Sequence, residues 1–240
     1  MSRRSYDQYC GLARSLDVVG ERWTLLVVRN LLLGPQRYSD LLRGLPGITT
    51  NLLAKRLKEM EVHGLIERAE RDASSAYRLT ETGRALEPAI HALGRWGWDR
   101  LGKPRAGDRR NIDWLLVALR RRYRGGVTVT ATFEADGAPY HIVLRDARAE
   151  IGRGAAPASD VRVIGKGQDI ARLFLDGLPG PDPMSLIEVQ GDASALRTLI
   201  DAFARGDASP QGVDDDPRDA AGQDEPGAID AARGEQHAGA

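Results

Sequence analysis

The chain has 240 residues, of which 42 % are hydrophobic, 28 % charged and 5 % aromatic. That composition excludes collagen-like and wholly disordered classes and leaves room for one or two domains with a real core. The 34 basic and 34 acidic residues cancel overall but are segregated, with 20 and 13 in residues 1–110, 12 and 12 in 111–205, and 2 and 9 in 206–240. A basic N-terminal half suits a polyanionic partner.

The longest apolar stretch, TLLVVRNLLLG, is broken by Arg29 and Asn30, so no membrane span is expected. MSRRSYDQYC lacks an apolar core of the kind a secretory signal needs, and a cytoplasmic location follows. Cys10 is the single cysteine, which rules out an internal disulfide and argues against a cysteine zinc site within one chain.

In chain order, the apolar run from Arg22 to Leu33 predicts a buried helix ended by Gly34-Pro35. Tyr38 to Leu45 predicts a short helix closed by Pro46-Gly47, and Thr49 to His63 a third, with hydroxyls for capping and Gly64 after its end. LIERAE and AYRLT read as strands around a polar turn at Arg71 to Ser75. The amphipathic segment Glu81 to Leu101 carries Pro88, which bends it or marks its true start. Helix, helix, turn, helix, hairpin, helix is the order of a winged helix-turn-helix.

On the third helix, Leu53, Leu57 and Met60 cluster at helical spacing and define a buried face. The opposite face carries Asn51, Lys55 and Lys58. Asn pairs bidentately with adenine, and Lys reaches guanine or phosphate. Thr49 and Thr50 open the helix, where free N–H groups attract phosphate. Arg56 lies on the flank, facing phosphate or a neighbouring helix. Arg71 and Arg78 of the hairpin suit phosphate or minor-groove contact. Arg37 and Ser39 open the preceding helix and suit the DNA backbone, with Ser39 equally suited to a plain cap. A solvated polar face is the competing reading of the whole stripe.

The segment CGLARSLDVVGERWTLLVVRNLLLGPQRYSDLLRGLPGITTNLLAKRLKEMEVHGLIER, continued by AYRLTETGRALEPAIHALGRWG, resembles the HxlR family of bacterial winged-helix transcription regulators. The features that carry the likeness are Cys10, Asp17 to Trp23, Gly34 to Leu42, Gly47 to Leu65 and the T-x-x-G of Thr80 to Gly83. The resemblance implies a homodimer on operator double-stranded DNA, joined through helices at Tyr6 to Val19 and Glu81 to Leu101. Trp96 and Trp98 fit such a contact, or packing against the chain's own second half. Some relatives sense oxidants or electrophiles through an N-terminal cysteine. Cys10 is thus a candidate redox sensor, with a partly buried, inert thiol as the plainer reading.

Gly102 to Arg110 reads as a linker. After it, Asn111 to Tyr123 predicts an amphipathic helix whose basic end, Arg120 to Arg122, complements its dipole. VTVTATFEADGAPYHIVLRD predicts a hairpin turning at Asp136-Gly137. RAEIGRG, DVRVIG and SLIEVQGD read as strands, and Gln168 to Leu178 and Ser194 to Phe203 as helices. This order resembles the sterol-carrier-protein-like fold, which implies helices over one face of a sheet and an apolar tunnel. Ile170, Phe174 and Leu199 would line an apolar effector site there, or simply fill a core. From Gly206 onward only Val213 and Ile229 are sizeable aliphatics, so this acidic tail is expected to be disordered.

The expected class is therefore α+β. A winged helix-turn-helix domain at 6–104 is followed by a smaller α/β domain at 111–205 and a tail at 206–240. Hydrolase, zincin, Walker and dinucleotide motifs are missing from the sequence. His63, His91, His141 and His237 show no metal-ligand spacing, so neither an enzyme nor a cofactor or metal site is expected. The competing class is a carrier of hydrophobic molecules whose basic domain serves another partner. Steep salt dependence of DNA affinity would separate the two.

Overall fold

Asp7, with φ at +53°, turns the extended N-terminus back along the first helix, where Tyr6 N–H and Ser5 Oγ bond to Asp17 at 3.0 and 3.2 Å. That helix, α1 (Gly11–Val19), starts later than Tyr6, the start that the family resemblance implies. A computed structural model describes residues 5–69, 76–98, 100–102, 108–175 and 181–204. Arg71, the rest of its turn and the 206–240 tail lie outside the described residues.

The N-terminal half follows the predicted order. Helices α2 (Thr24–Leu31), α3 (Tyr38–Arg43) and α4 (Thr50–Val62) precede a hairpin of β2 (Ile66–Ala69) and β3 (Ala76–Leu79). A two-residue strand, β1 (Gln36–Arg37), pairs with β3, giving a sheet of order β1-β3-β2. Such a short strand has no hydrophobic alternation to betray it. Pro88 is the second residue of α6 (Glu87–Trp98), after the single turn α5 (Glu81–Arg84). It starts that helix, where its missing N–H costs nothing.

The C-terminal half places α7 (Ile112–Arg122), α8 (Gly167–Arg172) and α9 (Ala193–Ala204) on one face of a five-stranded sheet. Its strands are β4 (Val129–Ala135), β5 (Ala138–Arg145), β6 (Arg148–Arg153), β7 (Val161–Gly165) and β8 (Glu188–Gly191), in the order β6-β5-β4-β7-β8. Asp136 and Gly137 both have positive φ, +53° and +78°. That matches the right-handed twist of the β4-β5 hairpin. β7 runs parallel to β4, a pairing that a pattern of alternating residues does not specify. The connection from β6 to β7 crosses the sheet's other face, where Thr132 Oγ1 meets Ser159 Oγ (2.5 Å) and the Ala156 N–H (3.1 Å).

Apolar side chains of both halves merge into one core among the described residues, running from Val27 to Phe203. Phe174 meets Phe133 and Phe203 edge-on, with centroids 6.0 and 5.8 Å apart. Polar groups stitch the junction. Arg153 N–H donates to the Leu33 carbonyl (3.0 Å), and Arg120 to the Leu32 carbonyl (3.1 Å). The Arg29 guanidinium lies 4.6 Å over the Trp114 ring, and burial lowers its pKa to about 10, against the pull of Asp113.

Candidate nucleic-acid interface

α4 presents two faces. Leu53, Leu57 and Met60 are buried, and Thr50, Asn51, Lys55 and Lys58 are exposed. The helix begins where Thr49 Oγ1 accepts the Leu52 N–H at 3.3 Å, so this hydroxyl caps the helix it opens. Lys55 lies 3.9 Å from Glu59, a contact on an exposed surface. Lys58 makes no ion pair among the described residues.

The preceding helix fixes the approach. Tyr38 Oη donates to the Thr50 carbonyl at 2.6 Å, joining the first turn of α3 to the first turn of α4. Arg37 and Ser39 are exposed beside it. Asp40 supplies the cap at this end, accepting the Arg37 N–H at 3.4 Å. Tyr38 escaped the sequence reading because a Tyr near a helix start has no distinctive spacing. Arg78 is exposed on β3 but pairs with Glu67 at 2.7 Å, so any phosphate there must compete with a carboxylate.

Arg56 departs from the rest of the basic face. It is buried and bonds Glu59 at 2.6 Å and Glu21 at 3.0 Å. Of the two roles the sequence allowed it, the structure shows an internal tie holding α4 to the turn after α1.

Two surfaces flank this core. α6 has no buried residue, and Leu93, Trp96 and Trp98 stand exposed, Trp96 at 61 %. On α1, Leu12 and Leu16 are exposed. Cys10 is exposed at the N-cap of α1, and the Ala13 and Leu12 N–H groups lower its thiol pKa. Ile170, Phe174 and Leu199 are all buried in the core.

A model of the HxlR-like helix-turn-helix family matches residues 18–104. The uncharacterized HTH-type transcriptional regulator YvaP of Bacillus subtilis is 35 % identical over 86 residues, covering 35 % of this chain and 80 % of YvaP. The chain belongs to the HxlR-like helix-turn-helix family. The uncharacterized HTH-type regulator Mb3122 of Mycobacterium bovis is 41 % identical over 96 residues, 39 % of this chain and 60 % of that protein. A structure of the redox regulator HypR in its reduced form is 29 % identical, with TM-score 0.36, covering 39 % of this chain and 95 % of that one. The family match thus places a winged helix-turn-helix of the transcription-regulator type at the N-terminus, and it does not extend to residues 111–205. No helix among the described residues is long and apolar enough to cross a membrane.

Proposed function

We propose that this HxlR-like regulator binds operator duplex DNA as a homodimer in the cytoplasm, with α4 in the major groove. The observation that carries the reading is the exposed ridge of Asn51, Lys55 and Lys58 backed by buried Leu53, Leu57 and Met60. A helix anchored on one side and polar on the other is what groove reading requires. Thr49, Thr50, Arg37, Ser39, Arg78 and Arg71 complete the proposed footprint on phosphate, Arg71 from outside the described residues. The exposed apolar residues of α1 and α6 support dimerisation through those helices.

The domain limits 6–104, 111–205 and 206–240 belong to the same proposal, as does a sterol-carrier-like fold for the second segment. Helices on one face of its sheet support that fold. An effector lodged among Ile170, Phe174 and Leu199 would have to part Phe174 from Phe133 and Phe203. Cys10 is proposed as the redox-sensing position on its exposure and its lowered pKa.

The test is selection of operator fragments from random duplexes, followed by gel shift. Asn51→Ala with Lys55→Ala should abolish preference for the selected site while leaving Tm unchanged. Retained preference sinks the assignment of α4.

A further inference from the structure

The sheet face turned away from α8 and α9 bears a groove of about 800 Å³. β5 contributes His141, Val143 and Arg145, β6 contributes Arg148 and Glu150, and the crossing loop adds Ala155–Pro157. Arg120 of α7 reaches it from the junction between the two halves. The size lies within the range of small-molecule sites, roughly 300–1,000 Å³.

Its charge is unbalanced. Arg145 and Arg148 are register partners across β5 and β6, so their side chains leave the same face, and both are exposed. Neither makes an ion pair or a side-chain hydrogen bond among the described residues. Like charges set opposite one another on neighbouring strands repel. The lining carboxylate, Glu150, stands 3.8 Å from His141 Nε2. His141 Nδ1 is 3.1 Å from the Gly154 carbonyl, which orients the ring. Two guanidiniums without an ion pair, with the Glu87-paired Arg120 also lining the groove, therefore stand against one carboxylate, beside a wall of Val143, Ala155 and Pro157.

We propose that this groove binds a small organic anion, a carboxylate carried on an apolar body. Paired guanidiniums suit a carboxylate because their planar N–H forks match its two oxygens. The apolar wall takes the rest of the molecule. Arg120 connects the groove to the DNA-binding half, since it also pairs with Glu87 of α6 at 3.2 Å. A bound carboxylate competes with Glu87 for that guanidinium. Only this last link rests on the regulator reading.

Octanoate is the probe, with octanol as its neutral counterpart and inorganic phosphate as the bare anion. The full chain is titrated by amide NMR and calorimetry. Octanoate should saturate and shift the Val143 and Ala155 amides. Octanol and phosphate should each bind about tenfold or more weakly. Arg145→Gln with Arg148→Gln should weaken octanoate by about tenfold or more at unchanged Tm. Failure of octanoate to saturate, equal affinity for octanol or phosphate, or an unchanged Kd in the double variant overturns the site.

Octanoate should also shift the Glu87 and His91 amides, and Arg120→Gln should abolish that response. An absent response in the unaltered chain overturns the coupling. Without octanoate, the double variant should bind non-specific duplex as the unaltered chain does. A loss would assign these arginines to nucleic acid and overturn the small-molecule site. Octanoate binding with no DNA binding at all would instead sink the regulator reading alone.

Discussion

Arg56 of α4 reaches Glu21, 35 positions earlier in the chain, across 3.0 Å, while its other terminal nitrogen holds Glu59 at 2.6 Å. One buried cation thus fixes the helix that presents the polar ridge. Removing it takes one cationic partner from each carboxylate and empties packed volume. Arg56→Ala is expected to lower stability by about 1–3 kcal/mol. Lys58→Ala, on the exposed face, should stay within about 0.5 kcal/mol. Urea unfolding of the two variants checks the contrast, and equal losses would refute it.

The T-x-x-G motif is a steric device. Thr80 Oγ1 accepts the Gly83 N–H at 3.1 Å and donates to the Gly64 carbonyl at 2.5 Å. A Cβ on Gly83 would sit 2.0 Å from the Leu65 carbonyl oxygen, a backbone atom with little room to yield. Gly83→Ala is expected to cost roughly 1–3 kcal/mol or more, and Thr80→Val about 1 kcal/mol through the lost cap. Thermal melts should rank the alanine variant as the less stable.

His91 of α6 gives the fold a pH dependence. Partial burial lowers its pKa, and Arg120 and Arg121 push in the same direction against Glu87. The unfolded chain, with an imidazole pKa of about 6.5, therefore binds the proton more readily than the folded one. Stability is fully present above that value and declines as pH falls toward the lower folded pKa. Tm should drop on acidification through this window, and His91→Gln should flatten that part of the profile. An unchanged slope in the variant would discount the histidine.

Cys10 should react early. Its sulfur is exposed, and the Ala13 and Leu12 N–H groups favour the thiolate. Iodoacetamide should label it at neutral pH faster than it labels a cysteine in an unstructured peptide. The pH midpoint of labelling should lie below the ordinary value of about 8.5. Labelling at the peptide rate would mark the thiol as ordinary.

Sequence and structure agree where one element's own pattern decides the outcome. The buried stripe of Leu53, Leu57 and Met60 follows from helical spacing, and the Asp136-Gly137 turn follows from the need for positive φ. Pro88 suits either a bend or a helix start by sequence, and the start of α6 at Glu87 decides between them. Arg56 had its angle on the helix fixed by sequence, but its partner Glu21 came from another segment. Tyr38, β1 and the parallel pairing of β7 with β4 likewise depend on distant chain brought alongside.

By itself, the sequence determined the order of the elements other than β1, the two-faced character of α4 and the segregation of charge, because periodicity, turn chemistry and composition are local properties. Only the tertiary structure decided which arginines are tied internally and which stand open. It alone merged the cores of both halves and set Arg145 and Arg148 side by side with Arg120 at one groove. A side chain's partners depend on which segments the fold packs against it, and that proximity is set by burial and strand register across the whole molecule.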